Sequence, residues 1–225
     1  MKNVNKKAFG GLFFLLLVLA VSLFLPAWTL QYWQAWVFLA VFSLSVFGIT
    51  LYLMKKDPKL LERRVNAGPT AEKEKTQQVI QSLAGVAFIA IFVLSSLDHR
   101  FEWSTVSLYL VVTGDILVAL GLFIVFLVFK ENRFTSATIE VDPEQKVIST
   151  GPYALVRNPM YSGAFIMLFG IPLALGSWWG LLAVTPVVLV IIWRLLDEEQ
   201  FLAKNLSGYS EYLNTVKYHL VPFIW

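Results

Sequence analysis

Long apolar runs alternate with short polar stretches along this chain. Runs of about 18 or more residues cross roughly 30 Å of hydrocarbon as helix, and they fall near 9–25, 33–54, 79–97 and 105–129. After a longer polar stretch, 161–175 and 180–196 form a tight pair around Gly176-Ser177-Trp178-Trp179-Gly180. The run 161–175 is short for a full crossing, which predicts a tilted hairpin or one that stops below the far surface. The fold class predicted is all-α: a polytopic membrane helical bundle of five to six transmembrane segments. Between the fourth and fifth runs, Thr138-Ile139-Glu140-Val141 reads as an extended piece and Asp142-Pro143-Glu144-Gln145 as a turn. Lys146-Val147-Ile148-Ser149-Thr150 then reads as its return strand. Beyond Glu198, the residues Phe201, Leu202, Leu206, Tyr209, Tyr212, Leu213 and Val216 make one apolar stripe at helical spacing. They predict amphipathic helices, interrupted near Ser207-Gly208, that lie along the membrane interface and fold back over the polar stretch.

The first run follows Lys2, Lys6 and Lys7, and Ala20-Val21-Ser22 mimics a cleavage site, so a cleaved leader is the alternative to a retained span. Apolar sequence continuing to Leu30, with a second span directly behind it, favours the retained span. Loop charges set the orientation. Lys and Arg concentrate in the N-terminal tail, between Lys55 and Lys75, from Lys130 to Arg157, and from Arg194 onward, while the other side carries only Arg100. Cytoplasmic loops hold the excess of basic residues, so both termini and the polar stretch are expected in the cytoplasm. Tryptophans 28, 33, 36, 103, 178 and 179 then fall near the opposite interface, where indoles anchor.

Hydrophobic residues make up 57% of the 225 residues, which fits a membrane chain. The absence of cysteine and the presence of only His99 and His219 argue against a thiolate or histidine metal site. A net charge of +3 is too small to imply nucleic acid, since membrane topology already places the basic residues. The loop 55–78 is charged, and its run Glu72-Lys73-Glu74-Lys75 reads as a solvated lead-in to the third span. Asp115 is the one acid deep in the fourth span. Such an acid is a functional candidate by default, and equally a helix-packing hydrogen bond.

The chemistry concentrates at the ends of the last two apolar runs. Pro152 and Pro159 keep the chain between them irregular, since each lacks an amide donor and biases its predecessor away from helix. Tyr153 and Tyr161 flank that stretch. Arg194 and Glu198, four residues apart, share a helix face. An exposed pair of this kind contributes only ~0.3–0.5 kcal/mol, too little to explain an arginine directly after Val190-Ile191-Ile192-Trp193. A guanidinium there suits a ligand carboxylate, gripped through two parallel hydrogen bonds. Glu198 or Glu199 could accept from a ligand hydroxyl or amine. Asp197, Glu198 and Glu199 in a row also need a cation nearby.

At these residues the chain resembles the membrane methyltransferases related to isoprenylcysteine carboxyl methyltransferase and phospholipid methyltransferase. The resemblance rests on Thr150-Gly151-Pro152-Tyr153 with Val156-Arg157-Asn158-Pro159-Met160-Tyr161-Ser162-Gly163. It continues in Arg194, Asp197-Glu198-Glu199, Leu202, Gly208-Tyr209, Tyr212, Val216 and Pro222. It implies S-adenosyl-L-methionine as cofactor, bound by Gln145, Lys146, Val147, Ile148, Tyr153, Asn158, Pro159, Met160, Tyr161 and Glu198. It further implies Arg194, Glu198 and Glu199 as catalytic residues, with Arg194 on a substrate carboxylate. The acceptor implied is lipophilic or lipidated, reached from the membrane lipids. The chain then divides into four N-terminal transmembrane helices with loop 55–78 (1–130) and a methyltransferase core (131–225). That core comprises a short irregular cytoplasmic cofactor loop, the hairpin 161–196 and the C-terminal amphipathic helices. Two departures stand out: Asn158 and Gln145 take places where the family often has His, and Asn carries no charge. A nicotinamide-dependent membrane reductase of similar fold, and a transporter or assembly protein, are the alternatives.

Overall fold

The computed structural model describes residues 2–225 and is all-helical. Its helices are α1 (Lys2–Ala27), α2 (Trp33–Lys56), α3 (Pro58–Val65), α4 (Lys75–Phe101), α5 (Leu108–Glu131), α6 (Pro159–Ala174), α7 (Trp179–Asn205) and α8 (Tyr209–Thr215). Five of them, α1, α2, α4, α5 and α7, are long and apolar enough to cross a membrane. Helix α6, with 16 residues, rises only about 24 Å, as its short run predicts. Helix α7 does not stop at the apolar boundary. It runs on unbroken to Asn205, so Arg194 and the three acids belong to one rigid rod.

Contacts between consecutive neighbours close the six longest helices into a ring in the order α1, α4, α7, α6, α5, α2 and back to α1. All six feed one core, where Leu19, Leu23, Phe38, Ile91, Phe92, Leu168 and Ile171 are buried. The tightest pair is α5 with α6. Gly114 meets Gly170, and Gly121 meets Gly163, each pair separated by seven residues on both helices. A β-carbon at Gly121 would stand 2.4 Å from the Gly163 carbonyl oxygen, closer than any side chain tolerates. Small residues at such spacing let helix backbones touch where lipid offers no hydrophobic drive.

The three short connections between spans gather at one end. Tyr32 donates to the Leu175 carbonyl (2.7 Å), Trp178 Nε1 to the Thr105 carbonyl (3.2 Å), and Arg100 lies over the Trp28 ring. Asp98, buried there, accepts from the Ser104 amide (2.8 Å) and hydroxyl (2.6 Å) and from Ser177 Oγ. Asp115 lies toward this same end of α5, buried beside the glycine contact, with its Oδ1 unpartnered. At the opposite end sit α3, the long connection 132–158, α8 and the C-terminal tail.

Two expectations are corrected here. The strand and return strand over 138–150 do not form, and no strand exists among the described residues. The turn does form: the Gln145 amide donates to the Asp142 carbonyl at 2.9 Å, and Gln145 Oε1 accepts from the Asp142 amide. The flanking backbone makes no ladder, and where it enters this stretch its polar groups go to distant side chains. Arg64 donates to the Ser136 carbonyl (2.7 Å), Arg194 to that of Ala137 (3.0 Å), and the Ile139 amide donates to Glu72. The second correction concerns Glu72. Lys73, Glu74 and Lys75 are exposed as a solvated lead-in should be, but Glu72 is only 4% exposed and turns inward.

Candidate functional site

Helix α5 ends in Asn132, whose amide closes the helix on the Val128 carbonyl while its side chain starts the loop. Asn132 Oδ1 accepts from the Phe134 amide (2.9 Å), and Nδ2 donates to Tyr153 Oη (3.1 Å). Gly151 adopts φ +57°, the left-handed region where a glycine is least strained. It opens the 3₁₀ turn that carries Tyr153. Pro159 then begins α6 at its first position, where the missing amide costs nothing. Asn158, directly before it, does not cap the helix with its side chain. Its Nδ2 donates instead to Glu199 Oε1 at 2.6 Å.

Between this loop, the start of α6, the end of α7 and α8 lies a cavity that opens to solvent. Gln145, Lys146, Val147, Ile148, Tyr153, Asn158, Pro159, Met160, Tyr161 and Glu198 all border it. Residues separated by more than fifty positions in sequence thus line one space. The stripe behind the break at Gly208 forms its cover. Tyr209, Tyr212 and Val216 are buried against Val147 and Tyr153, and Tyr212 Oη donates to the Tyr153 carbonyl at 2.8 Å. Burial pushes the hydroxyls of Tyr153 and Tyr212 above the ordinary phenol range, so both remain protonated donors.

The three consecutive acids splay around α7, and each takes its own donor. Asp197 accepts from Gln77 Nε2 on α4. Glu198 faces the cavity and accepts from Tyr161 Oη at 2.6 Å. Glu199, 7% exposed, points away from the cavity and accepts from Asn158; Arg157 lies 3.8 Å away and His219 Nδ1 3.1 Å. Glu199 is therefore not on the cavity wall. Neither is Arg194: its Nη1 donates to Gln77 Oε1 (2.8 Å), and its Nη2 to Glu72 Oε1 (2.8 Å) and the Ala137 carbonyl. Among the described residues, no ion pair within 4 Å joins Arg194 to Glu198, so the shared helix face does not produce the simple intrahelical bridge.

The C-terminal tail straps the Arg157–Asn158 corner. Arg157 Nε donates to the Val216 carbonyl (2.6 Å) and Nη2 to that of Leu213 (2.7 Å). The amides of Arg157 and Asn158 donate to the carbonyls of Tyr218 and His219. Sequence reading missed a second support, from the connection between α2 and α4. Arg63 pairs with Asp142 at 2.6 Å and reaches the Arg133 carbonyl. Arg64 lies over the Phe129 ring and touches Met160 Sδ. Burial pulls Arg64 below the usual guanidinium range, an effect opposed by nearby Tyr161 and Glu198. The only signal in the sequence was two arginines on a short helix with a strongly one-sided apolar face, Leu60 and Leu61.

Two acids border the cavity, the exposed Glu140 and the half-buried Glu198, and among the described residues neither has an ion-pair partner within 4 Å. A hydroxyl donor on one oxygen leaves the Glu198 carboxylate available to a ligand.

No curated protein matches the chain. The model of the phospholipid methyltransferase family matches residues 109–208, which takes in most of α5, the connection 132–158, α6 and all of α7. The matched segment is similar to that family, in keeping with the resemblance carried by the two motifs, and most of the cavity lies within it.

Proposed function

We propose that this protein is an integral-membrane, S-adenosylmethionine-dependent methyltransferase acting on a lipid or lipid-modified acceptor, with its site on the cytoplasmic side. The observation that carries this reading is the single cavity bordered by Tyr153, the Asn158–Tyr161 corner and Glu198. It is also supported by the match of residues 109–208 to the phospholipid methyltransferase family model. The residues fit the cofactor: the cavity offers aromatic faces, backbone groups of an irregular loop, and the Glu198 carboxylate, which makes no ion pair within 4 Å among the described residues. A positively charged ligand centre is favoured beside that carboxylate and over aromatic rings.

S-adenosylmethionine, when bound, supplies an electrophilic methyl group on a cationic sulfur. The protein's part is then mostly alignment, and orientation alone can lower a barrier by roughly 7–11 kcal/mol. Tyr161 fixes the Glu198 carboxylate by a 2.6 Å hydrogen bond. Tyr153, held by Asn132 and Tyr212, fixes the opposite wall. The α8 cover limits water in the cavity, which strengthens every charge interaction inside it. An acceptor that must lose a proton finds Glu198 as its base, and a carboxylate acceptor, already ionised at neutral pH, needs none. The apolar helices below the site favour an acceptor whose tail stays in the bilayer.

The test is ligand binding by the purified protein, then transfer of radiolabelled methyl groups into a membrane extract. Binding of S-adenosylmethionine and a labelled lipid product are expected. Tight NADPH binding without S-adenosylmethionine binding would overturn the reading in favour of a reductase.

A further inference from the structure

Arg194 stands at the point where the resemblance places a grip on an acceptor carboxylate, yet a carboxylate of the protein already holds it. Glu72 Oε1 accepts from Arg194 Nη2 at 2.8 Å, and Gln77 Oε1 takes Nη1 at the same distance. The bond is built in on both sides. Glu72 is 4% exposed, Gln81 Nε2 donates to its Oε1 at 2.6 Å, and the Ile139 amide donates to its Oε2 at 3.3 Å. Ala137, in the loop that borders the cavity, gives its carbonyl to both Arg194 and Gln81. The guanidinium therefore reaches from α7 across to the start of α4, passing beside Tyr161 at the edge of the cavity. Glu72 lies outside the segment that matches the family model, in the connection that carries no motif.

A buried ion pair of this geometry is hard to open. Removing one member strands a charge in low dielectric, and an incoming carboxylate has to supply every contact that Glu72 already makes. The acceptor's own carboxylate would also meet Glu72 at close range, a like-charge contact that disfavours entry.

We propose that Glu72 is a specificity-determining residue: the built-in counter-ion of Arg194, it occupies the carboxylate place on that guanidinium and denies it to acceptors. This rests on the methyltransferase reading for its meaning. The site then selects acceptors whose nucleophile needs no guanidinium clamp. Arg194 acts as a positioning residue that ties α7 to α4 and to the Ala137 carbonyl.

The experiment measures octanoate and octan-1-ol binding to the protein in nanodiscs, against empty nanodiscs, for wild type, E72Q, and E72Q with R194Q. Glutamine keeps the shape and hydrogen-bonding capacity of Glu72 without its charge. Wild type is expected to bind octanoate no more than about threefold more tightly than the alcohol. E72Q is expected to gain tenfold or more for octanoate and nothing for the alcohol, and the double variant to lose that gain. A wild-type preference for octanoate of tenfold or more overturns the proposal, and this comparison needs no variant to fold. So does an E72Q protein of unchanged thermal midpoint that gains nothing. S-adenosylmethionine binding is measured in parallel. Its absence would sink the methyltransferase reading while leaving the carboxylate comparison readable.

Discussion

Glu198 and Glu199 are neighbours of the same chemistry, and the structure gives them different surroundings. A helix turns its side chains about 100° per residue, so one carboxylate enters the cavity while the next faces the Arg157–His219 corner. Glu198→Gln is expected to keep its bond to Tyr161 and to lower kcat by roughly 10²-fold or more, the scale of a lost general base. The thermal midpoint should stay nearly constant. Glu199→Gln is expected to do the reverse. It leaves Arg157 short of its counter-charge inside a buried cluster, costing about 1–3 kcal/mol of stability, with a smaller effect on kcat. Methyl-transfer kinetics alongside thermal unfolding separate the two; equal loss of kcat in both would contradict the assignment of roles. Asn158 belongs to the same corner. Where the family often has His, an amide here donates to Glu199, and the imidazole near that carboxylate comes from His219 instead. The cavity-facing residues were legible because their motif is local and turn-forming. Glu72 was not, because three exposed charges follow it and its burial is decided by an arginine 122 positions away.

Helices α5 and α6 show what sequence reveals about an element and what it withholds. Their apolar runs, their ends and the turn at Gly176 (φ +73°) follow from composition and chain-breaking residues. Their closeness does not, because glycine in a membrane helix is common and only the facing pairs give it meaning. Gly121 and Gly163 bring the two backbones together at the end that feeds the cavity, so the spacing of α5 and α6 fixes Asn132 against Tyr153. Gly121→Ala is expected to destabilise by about 1–3 kcal/mol, as overpacking of a filled contact does, and to weaken cofactor binding with it. Gly85→Ala is the control. Nothing lies within 4 Å of a β-carbon there, and alanine is the better helix former by ~1 kcal/mol, so that variant should be neutral or more stable. Unfolding midpoints of the two purified proteins decide the matter, and equal destabilisation would remove the special place given to the α5–α6 contact. The failed strand pair at 138–150 is the complementary case. Local β-propensity was real, but no ladder forms: the Ile139 amide goes to Glu72, and the carbonyls just ahead of it, on Ser136 and Ala137, go to Arg64 and Arg194.

At the scale of the whole molecule, the ring of six helices puts every short connection at one end and the cavity, α3, α8 and the C-terminus at the other. The sequence contains the same division as charge: every Lys and Arg except Arg100 falls in segments at the cavity end. At the far end Asp98 accepts from the Ser104 amide and hydroxyl and from Ser177 Oγ, tying two of the short connections together. The cavity and the basic segments thus share one end of the bundle, and the proposed orientation, with that end in the cytoplasm, follows from the positive-inside bias. The chain has no cysteine, so single cysteines report sidedness without background. Glu144→Cys, on the exposed turn of the loop at the cavity end, is expected to react with a membrane-impermeant maleimide only after right-side-out vesicles are permeabilised. Ser107→Cys, exposed ahead of α5 at the closed end, is expected to react before permeabilisation. Reaction of both before permeabilisation would break the topology, and a clean exchange of the two patterns would put the cavity on the outer face. That exchange would also remove a cytoplasmic cofactor from consideration, because S-adenosylmethionine would then have to reach Glu198 from the side opposite to where the basic loops place it.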